Sequence, residues 1–121
     1  MSAIFRNDRN LIDYKEFEKF QKLLPKLFPK VHETCPREFA GETGMFYYWK
    51  GKSSDRPVVL MSHYDVVPAE ESRWEKPAFE GIVENNVLWG RGTLDTKATF
   101  CGIMEAAESL IGEGFLPEHD I

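Results

Sequence analysis

An apolar run without alternation, VVLMS at residues 58–62, constrains the fold of this chain more than any other stretch. A strand with one face in solvent alternates apolar and polar residues, whereas a strand covered on both faces reads as a continuous apolar run. We therefore expect residues 58–62 to form a central strand of an α/β sheet. A second strand is predicted over MFYYWK (45–50), and GKSSDRP (51–57) is typical of a turn-rich connection.

Two amphipathic patterns predict helices. Residues 13–24 place apolar side chains three and four residues apart, with Asp13 as N-cap, and we expect Pro25 to end or kink this helix. Residues 97–111 carry a second apolar face, with Gly112 or Gly114 to stop the helix.

Between these helices the chain shows two further local patterns. Pro29 and Pro36 predict an irregular stretch after the first helix. Asn85 and Asn86 separate two strand-like runs, and because Asn tolerates a positive φ, this pattern predicts a tight hairpin.

Bulk composition bounds the function classes. The 121 residues suffice for one small domain, and 42% hydrophobic with 29% charged residues is typical of a soluble globular protein. A formal net charge of −5 favours neither nucleic acid nor an anionic membrane as partner. The sequence shows no secretory signal and no apolar run of membrane-spanning length, and two cysteines are too few for a disulfide framework, so we expect a cytoplasmic protein.

His63 and Asp65 follow the predicted central strand directly. Residues i and i+2 of an extended segment point to the same side, so both side chains would share a face where open α/β sheets place ligand sites. Imidazole is a good Zn²⁺ ligand, and a carboxylate often orients a metal-bound ring. A capping His with a solvated Asp is the alternative interpretation of this tripeptide alone.

Asp95 lies in a Gly-bracketed turn immediately before the second helix. By itself it is most simply a carboxylate stabilised by the helix dipole and free N–H groups. A carboxylate in this position can also bridge two cations. Arg91, between two glycines, either contacts a substrate carboxylate or, as the preferred interpretation, bonds loop carbonyls.

Taken together, the motifs SHYDVVP, RWEKPAFEG and LWGRGTLDTK resemble the N-terminal catalytic segment of the dinuclear zinc aminoacylase/carboxypeptidase metallopeptidases. WGRGTLDTK and the later EGFLPEHDI are most similar to the carboxypeptidase S-like branch. The resemblance covers most of the chain and is weakest before residue 40.

The resemblance implies a role for each motif residue. His63 would ligate one zinc, and Asp95 would bridge two zincs. Asp65 would be a catalytic-site residue, the acidic partner that orients His63 and tunes its basicity. It also implies a cis peptide between Asp95 and Thr96. The complete site would hold two Zn ions, with Co or Mn as possible substitutes, and would hydrolyse small peptides or N-acyl amino acids through a metal-activated water.

The resemblance further implies an α/β fold, a partial zinc-exopeptidase-like three-layer sandwich with a mixed sheet and flanking helices. Residues 1–121 would be the N-terminal part of a single metallohydrolase catalytic domain, truncated before the strand that carries the family's Glu pair and lacking the lid or dimerisation domain. Glu70-Glu71 precedes Asp95 and is the wrong pair. We therefore expect the fragment alone to be inactive and to self-associate. A non-catalytic binding or interaction module that keeps the fold is the alternative.

Overall fold

The computed structural model describes residues 3–121, so the first two residues of the predicted domain 1–121 lie outside the described residues. The described chain contains helices α1 (Tyr14–Leu27), α2 (Pro29–Thr34) and α3 (Ala98–Gly112), and strands β1 (Arg37–Ala40), β2 (Gly44–Tyr47), β3 (Ile82–Glu84) and β4 (Val87–Trp89). The strands form two separate antiparallel pairs, β1 with β2 and β3 with β4. The protein is thus a small α/β structure, and the three-layer sandwich stays a prediction.

The chain divides into two compact units. One contains the residues up to Phe20 together with Ser62–Phe100, and the other contains Gln21–Met61 together with Cys101–Ile121. In the first unit Phe17, Tyr64, Val66 and Ala78 are buried. The second unit has its own core, which consists of Leu24, Phe28, Val31, Cys35, Trp49 and Met104. None of the helices in residues 3–121 is both long enough and apolar enough to span a bilayer.

The predicted N-terminal helix is confirmed, but it does not end at Pro25. Asp13 caps it, accepting a hydrogen bond from the backbone N–H of Lys15 at 3.0 Å. The helix continues to Leu27 although Pro25 has no N–H to donate to the carbonyl of Gln21. The Arg37 guanidinium donates to that same carbonyl at 3.0 Å, so the carbonyl accepts a hydrogen bond from outside the helix.

The stretch after Pro25 is more regular than its prolines suggested. Pro29 is the first residue of α2, where a proline is tolerated because the first N–H groups of a helix have no intrahelical partner. Glu108 accepts hydrogen bonds from the backbone N–H groups of Lys30 and Val31, at 3.1 and 2.9 Å. Strand β1 then pairs with β2, with Arg37 opposite Tyr47.

The expected central strand over residues 58–62 is wrong for the described chain. No strand is assigned there, and Val59 and Met61 are 72% and 82% exposed. The physical reason is that a strand needs a partner, and the backbone of residues 59–62 makes no hydrogen bond to another backbone group within residues 3–121. Val58 makes one, donating to the carbonyl of Asp120 at 2.8 Å.

The other two local predictions are confirmed. The β3–β4 hairpin turns at Asn85 and Asn86, whose φ angles are 51° and 61°. A glycine ends helix α3, as predicted. Gly114 adopts a φ of 74°, and the backbone N–H of the next residue, Phe115, donates to the Leu110 carbonyl at 2.9 Å.

Candidate functional site

A buried tyrosine fixes the backbone around His63 and Asp65. Tyr64 is 8% exposed, its ring stacks on Phe20 with centroids 4.9 Å apart, and it meets the edge of Phe17 at 5.6 Å. Because successive side chains of an extended segment point to opposite sides, burying Tyr64 directs His63 and Asp65 to the other side. The predicted shared face of these two residues is therefore present.

A close backbone approach brings the Asp95 turn to the same place. Gly92 has a φ of 84°, and a Cβ at this position would lie 2.3 Å from Val66 Cγ1, so only glycine allows the turn to pack against Val66. The backbone N–H of Lys97 donates to the Gly92 carbonyl at 3.0 Å and closes the turn. Within it, the predicted cis peptide between Asp95 and Thr96 is present.

These two segments place one imidazole between two carboxylates. His63 Nδ1 lies 3.0 Å from Asp65 Oδ1 and 3.2 Å from the Asp65 carbonyl oxygen, and His63 Nε2 lies 3.2 Å from Asp95 Oδ1. The His63 and Asp95 side chains are 51% and 82% exposed, so this cluster is open to solvent. The three residues singled out from the sequence thus meet, although their roles stay predictions.

The charge state of His63 follows from these contacts. Burial lowers its pKa, but hydrogen bonds to the Asp65 carbonyl and the Asp95 carboxylate, together with both negative charges, outweigh burial and raise the pKa above its ordinary value. A neutral imidazole has a single N–H and cannot donate to acceptors on both sides. The arrangement therefore suits either an imidazolium or a neutral ring with a cation at Nε2.

Two hydroxyl residues at the site were not singled out from the sequence. The Thr96 hydroxyl lies 2.8 Å from the Ser62 hydroxyl and is hydrogen-bonded to the backbone of His63. Their only sequence signal is position, since Ser62 precedes His63 and Thr96 follows Asp95.

The donor set fits part of a zinc site. Two ligands that bind one tetrahedral zinc at ordinary bond lengths lie about 3.3 Å apart, and His63 Nε2 and Asp95 Oδ1 are 3.2 Å apart. Asp65 faces the other ring nitrogen, where it can orient the ring. Within residues 3–121, no group of three or more His, Cys, Asp or Glu side chains is arranged to hold a metal ion. The residues present thus supply two suitable donors of an incomplete set.

Other acidic and histidine candidates are engaged elsewhere. Glu71 accepts a hydrogen bond from the backbone N–H of Ala78 at 3.1 Å, and Glu70 pairs with Arg73 at 2.8 Å. His32 uses both ring nitrogens, toward the Phe28 carbonyl at 2.7 Å and the Tyr47 hydroxyl at 3.0 Å. None of these groups adds a donor beside His63.

Arg91 packs on an aromatic ring. Its guanidinium carbon lies 5.4 Å from the ring centroid of Trp74, and its backbone N–H donates to the Ala78 carbonyl at 2.6 Å. Its Nε is buried and has no hydrogen-bond partner within the described chain, so this atom bonds no loop carbonyl, and the role of the rest of the guanidinium stays a prediction. Arg91 also lines a cavity of about 210 Å³ with Ala78 and Lys97.

Comparison with known proteins identifies the family of the motif-bearing region. Residues 59–121, just over half of the chain, match the profile described as peptidase family M20/M25/M40. This region contains His63, Asp65 and Asp95, together with the turn from Gly92 to Lys97.

Curated relatives match over most of the chain. The chain is 38% identical over 108 residues to probable carboxypeptidase S-like 2 of Dictyostelium discoideum and 37% identical over 114 residues to carboxypeptidase S of Saccharomyces cerevisiae. It is 36% identical over 102 residues to the human N-fatty-acyl-amino acid synthase/hydrolase PM20D1. These alignments cover 88%, 89% and 82% of this chain but 21%, 20% and 20% of the relatives, so the chain spans about a fifth of their length. The match over the motif-bearing region and the identity to these relatives show that the chain belongs to peptidase family M20/M25/M40.

Proposed function

We propose that this chain is the metal-binding N-terminal portion of a zinc-dependent hydrolase that cleaves the amide bonds of small peptides or N-acyl amino acids. The observation that carries the proposal is the position of His63 between Asp65 and Asp95, within the region that matches the peptidase family. Relatives named as a carboxypeptidase and an N-fatty-acyl-amino acid synthase/hydrolase support this substrate class.

The chain's own residues divide the work of holding the metal. His63 Nε2 and Asp95 Oδ1 would be the donors, and Asp95 has a second oxygen that could serve a second ion. Asp65 would accept a hydrogen bond from His63 Nδ1–H, which would leave the Nε2 lone pair for the metal and fix the ring plane. When bound, zinc lowers the pKa of a coordinated water and polarises a carbonyl, and Co or Mn are possible substitutes.

The 121 residues alone do not complete this site. A catalytic zinc takes three protein ligands as a rule, and the described residues place two donors together. We infer that the remaining ligands and the general base belong to the part of the longer relatives that this chain does not span. On this proposal the isolated chain binds zinc weakly and hydrolyses nothing.

Chelation of the full-length protein tests the proposed reaction. We expect hydrolysis of N-acyl amino acids or dipeptides to stop when metal is removed and to return when zinc is added back. Hydrolysis that persists unchanged in the metal-free protein would contradict the proposal. Saturable binding of these compounds without hydrolysis, in the zinc-loaded protein, would instead support the non-catalytic binding module.

A further inference from the structure

A single hydroxyl holds both backbone polar groups of His63. The backbone N–H of His63 donates to Thr96 Oγ1 at 3.1 Å, and the Thr96 hydroxyl donates to the His63 carbonyl at 3.0 Å. Thr96 directly follows Asp95 in the chain. The side chain of Thr96 thus ties the backbone of one candidate metal ligand to the backbone next to the other.

The Ser62 hydroxyl is a further hydrogen-bond partner of Thr96. A threonine hydroxyl offers one proton and two lone pairs. Its proton goes to the His63 carbonyl and one lone pair accepts from the His63 N–H, so the second lone pair remains for the Ser62 hydroxyl, 2.8 Å away. The single proton of the Ser62 hydroxyl can go to Thr96 Oγ1 or to the Thr96 carbonyl oxygen, 3.1 Å away. In either case Ser62 hydrogen-bonds to Thr96.

The Thr96 hydroxyl bonds the backbone N–H and C=O of His63, which in a sheet would bond a neighbouring strand. Within residues 3–121, neither backbone group of His63 makes a hydrogen bond to another backbone group. The flanking anchors are Tyr64, through its ring, and Val66, whose N–H donates to the Ala3 carbonyl at 2.8 Å. Thr96 thus supplies the bonds that set the backbone of His63 relative to Asp95.

We propose that Thr96, supported by Ser62, is a positioning residue that sets the distance between His63 Nε2 and Asp95 Oδ1. This inference rests on the proposed function, because the distance matters only if both atoms bind the same metal. Loss of a group that orients metal ligands commonly weakens metal affinity or activity about 10- to 100-fold. Since these residues are partly open to solvent, which can replace a lost bond, we expect the lower end, about tenfold.

The test compares Thr96→Val, which keeps the shape without the hydroxyl, with Thr96→Ser, which keeps the hydroxyl, in the full-length protein. Zn²⁺ alone is the probe for affinity, and kcat and KM are measured on an N-acyl amino acid. We expect Thr96→Val to weaken zinc binding and lower kcat about tenfold with KM unchanged, and Thr96→Ser to restore both. Thr99→Val, at an exposed position of α3, is the matched control and should change neither.

Hydrogen exchange of the His63 amide in metal-free protein separates this inference from the proposed function. We expect faster exchange in Thr96→Val and native exchange in Thr96→Ser. If unsubstituted protein binds no zinc, the proposed function fails and the positioning role falls with it, even where the exchange result confirms the bond. If zinc binds but Thr96→Val matches the unsubstituted protein in affinity and kcat, this inference alone is overturned. If Thr96→Val does not fold, Ser62→Ala takes its place, with a smaller loss expected and native affinity overturning the inference.

Discussion

The two ring nitrogens of His63 face different carboxylates, and this asymmetry assigns them different tasks. Nδ1 lies within hydrogen-bond distance of both the carboxylate and the carbonyl of Asp65, whereas Nε2 faces the Asp95 carboxylate. A proton held at Nδ1 leaves the lone pair of Nε2 free for a metal. On the proposed function, Asp65 would therefore act through His63 rather than on a metal directly.

Asp65→Asn tests, at the scale of one residue, whether Asp65 holds the proton on His63 Nδ1 and so leaves Nε2 for a metal. The amide keeps the size of the side chain but removes the negative charge that holds the Nδ1 proton. We expect zinc affinity of the full-length protein to fall about 10- to 100-fold, measured by competition with a chromogenic chelator. Asp55→Asn is the control, because Asp55 is an exposed carboxylate that pairs with Arg56 at 3.2 Å. Equal affinity in Asp65→Asn and unsubstituted protein would contradict the orienting role.

Local chemistry made the residues of the site predictable in part. His63, Asp65 and Asp95 stand out because each is a metal-binding residue type beside an apolar run, and the motif order ties them together. Ser62 and Thr96 do not stand out, because a hydroxyl residue is common and its task depends on a partner 34 positions away. The same applies to Arg91, whose ring contact with Trp74 is not local in sequence.

At the scale of elements, helix α1 continues through Pro25, and Arg37 supplies a hydrogen bond that the proline cannot. The Gln21 carbonyl has no i+4 N–H partner and accepts from the Arg37 guanidinium at 3.0 Å. Gln21 is 8% exposed, so water has little access to this residue. One carbonyl of helix α1 is thus bonded by Arg37, a residue that follows the helix in the chain.

Arg37→Ala should therefore destabilise the protein by about 1–3 kcal/mol, the usual cost of an unsatisfied buried polar group. The measurement is urea unfolding of purified protein, carried out also in a Pro25→Ala background. Alanine at position 25 restores the N–H that bonds the Gln21 carbonyl, so Arg37→Ala should cost less there. Equal costs in both backgrounds would show that Arg37 does not replace the proline's missing bond.

The elements that sequence predicted well are those whose stabilising contacts are local. Asn85 and Asn86 fix the hairpin through their own φ angles, and Gly114 ends α3 through bonds to the preceding turn. Strand pairing is different, because VVLMS indicates only that a strand would be buried. It carries no information about which segment would pair with it, and no described segment does.

At the scale of the whole molecule, residues 58–61 are four consecutive apolar residues that are all exposed. Val58, Val59, Leu60 and Met61 are 47%, 72%, 55% and 82% exposed. Exposed apolar side chains on a segment whose backbone is largely unpaired favour association with another chain, and within residues 3–121 only Val58 of this segment bonds another backbone group. Isolated residues 1–121 should accordingly self-associate as concentration rises.

Sedimentation velocity of the isolated chain over a range of concentrations measures this association. We expect Val59→Lys combined with Met61→Lys to shift the distribution toward monomer, because charge on the segment opposes pairing. Thr99→Lys with Ser109→Lys adds the same charge at exposed positions of α3 and should not. A monodisperse monomer at every concentration of the unsubstituted chain would contradict the prediction.

The most direct measurement on the central claim is zinc affinity of the full-length protein with and without its two candidate ligands. His63→Ala and Asp95→Ala remove the donors whose atoms lie 3.2 Å apart, and Asp55→Ala controls for loss of an exposed carboxylate. If both donors hold one metal, each substitution weakens zinc binding more than about 100-fold, beyond the loss expected for an orienting group, while Asp55→Ala leaves it unchanged. Native affinity in either His63→Ala or Asp95→Ala would contradict the shared site.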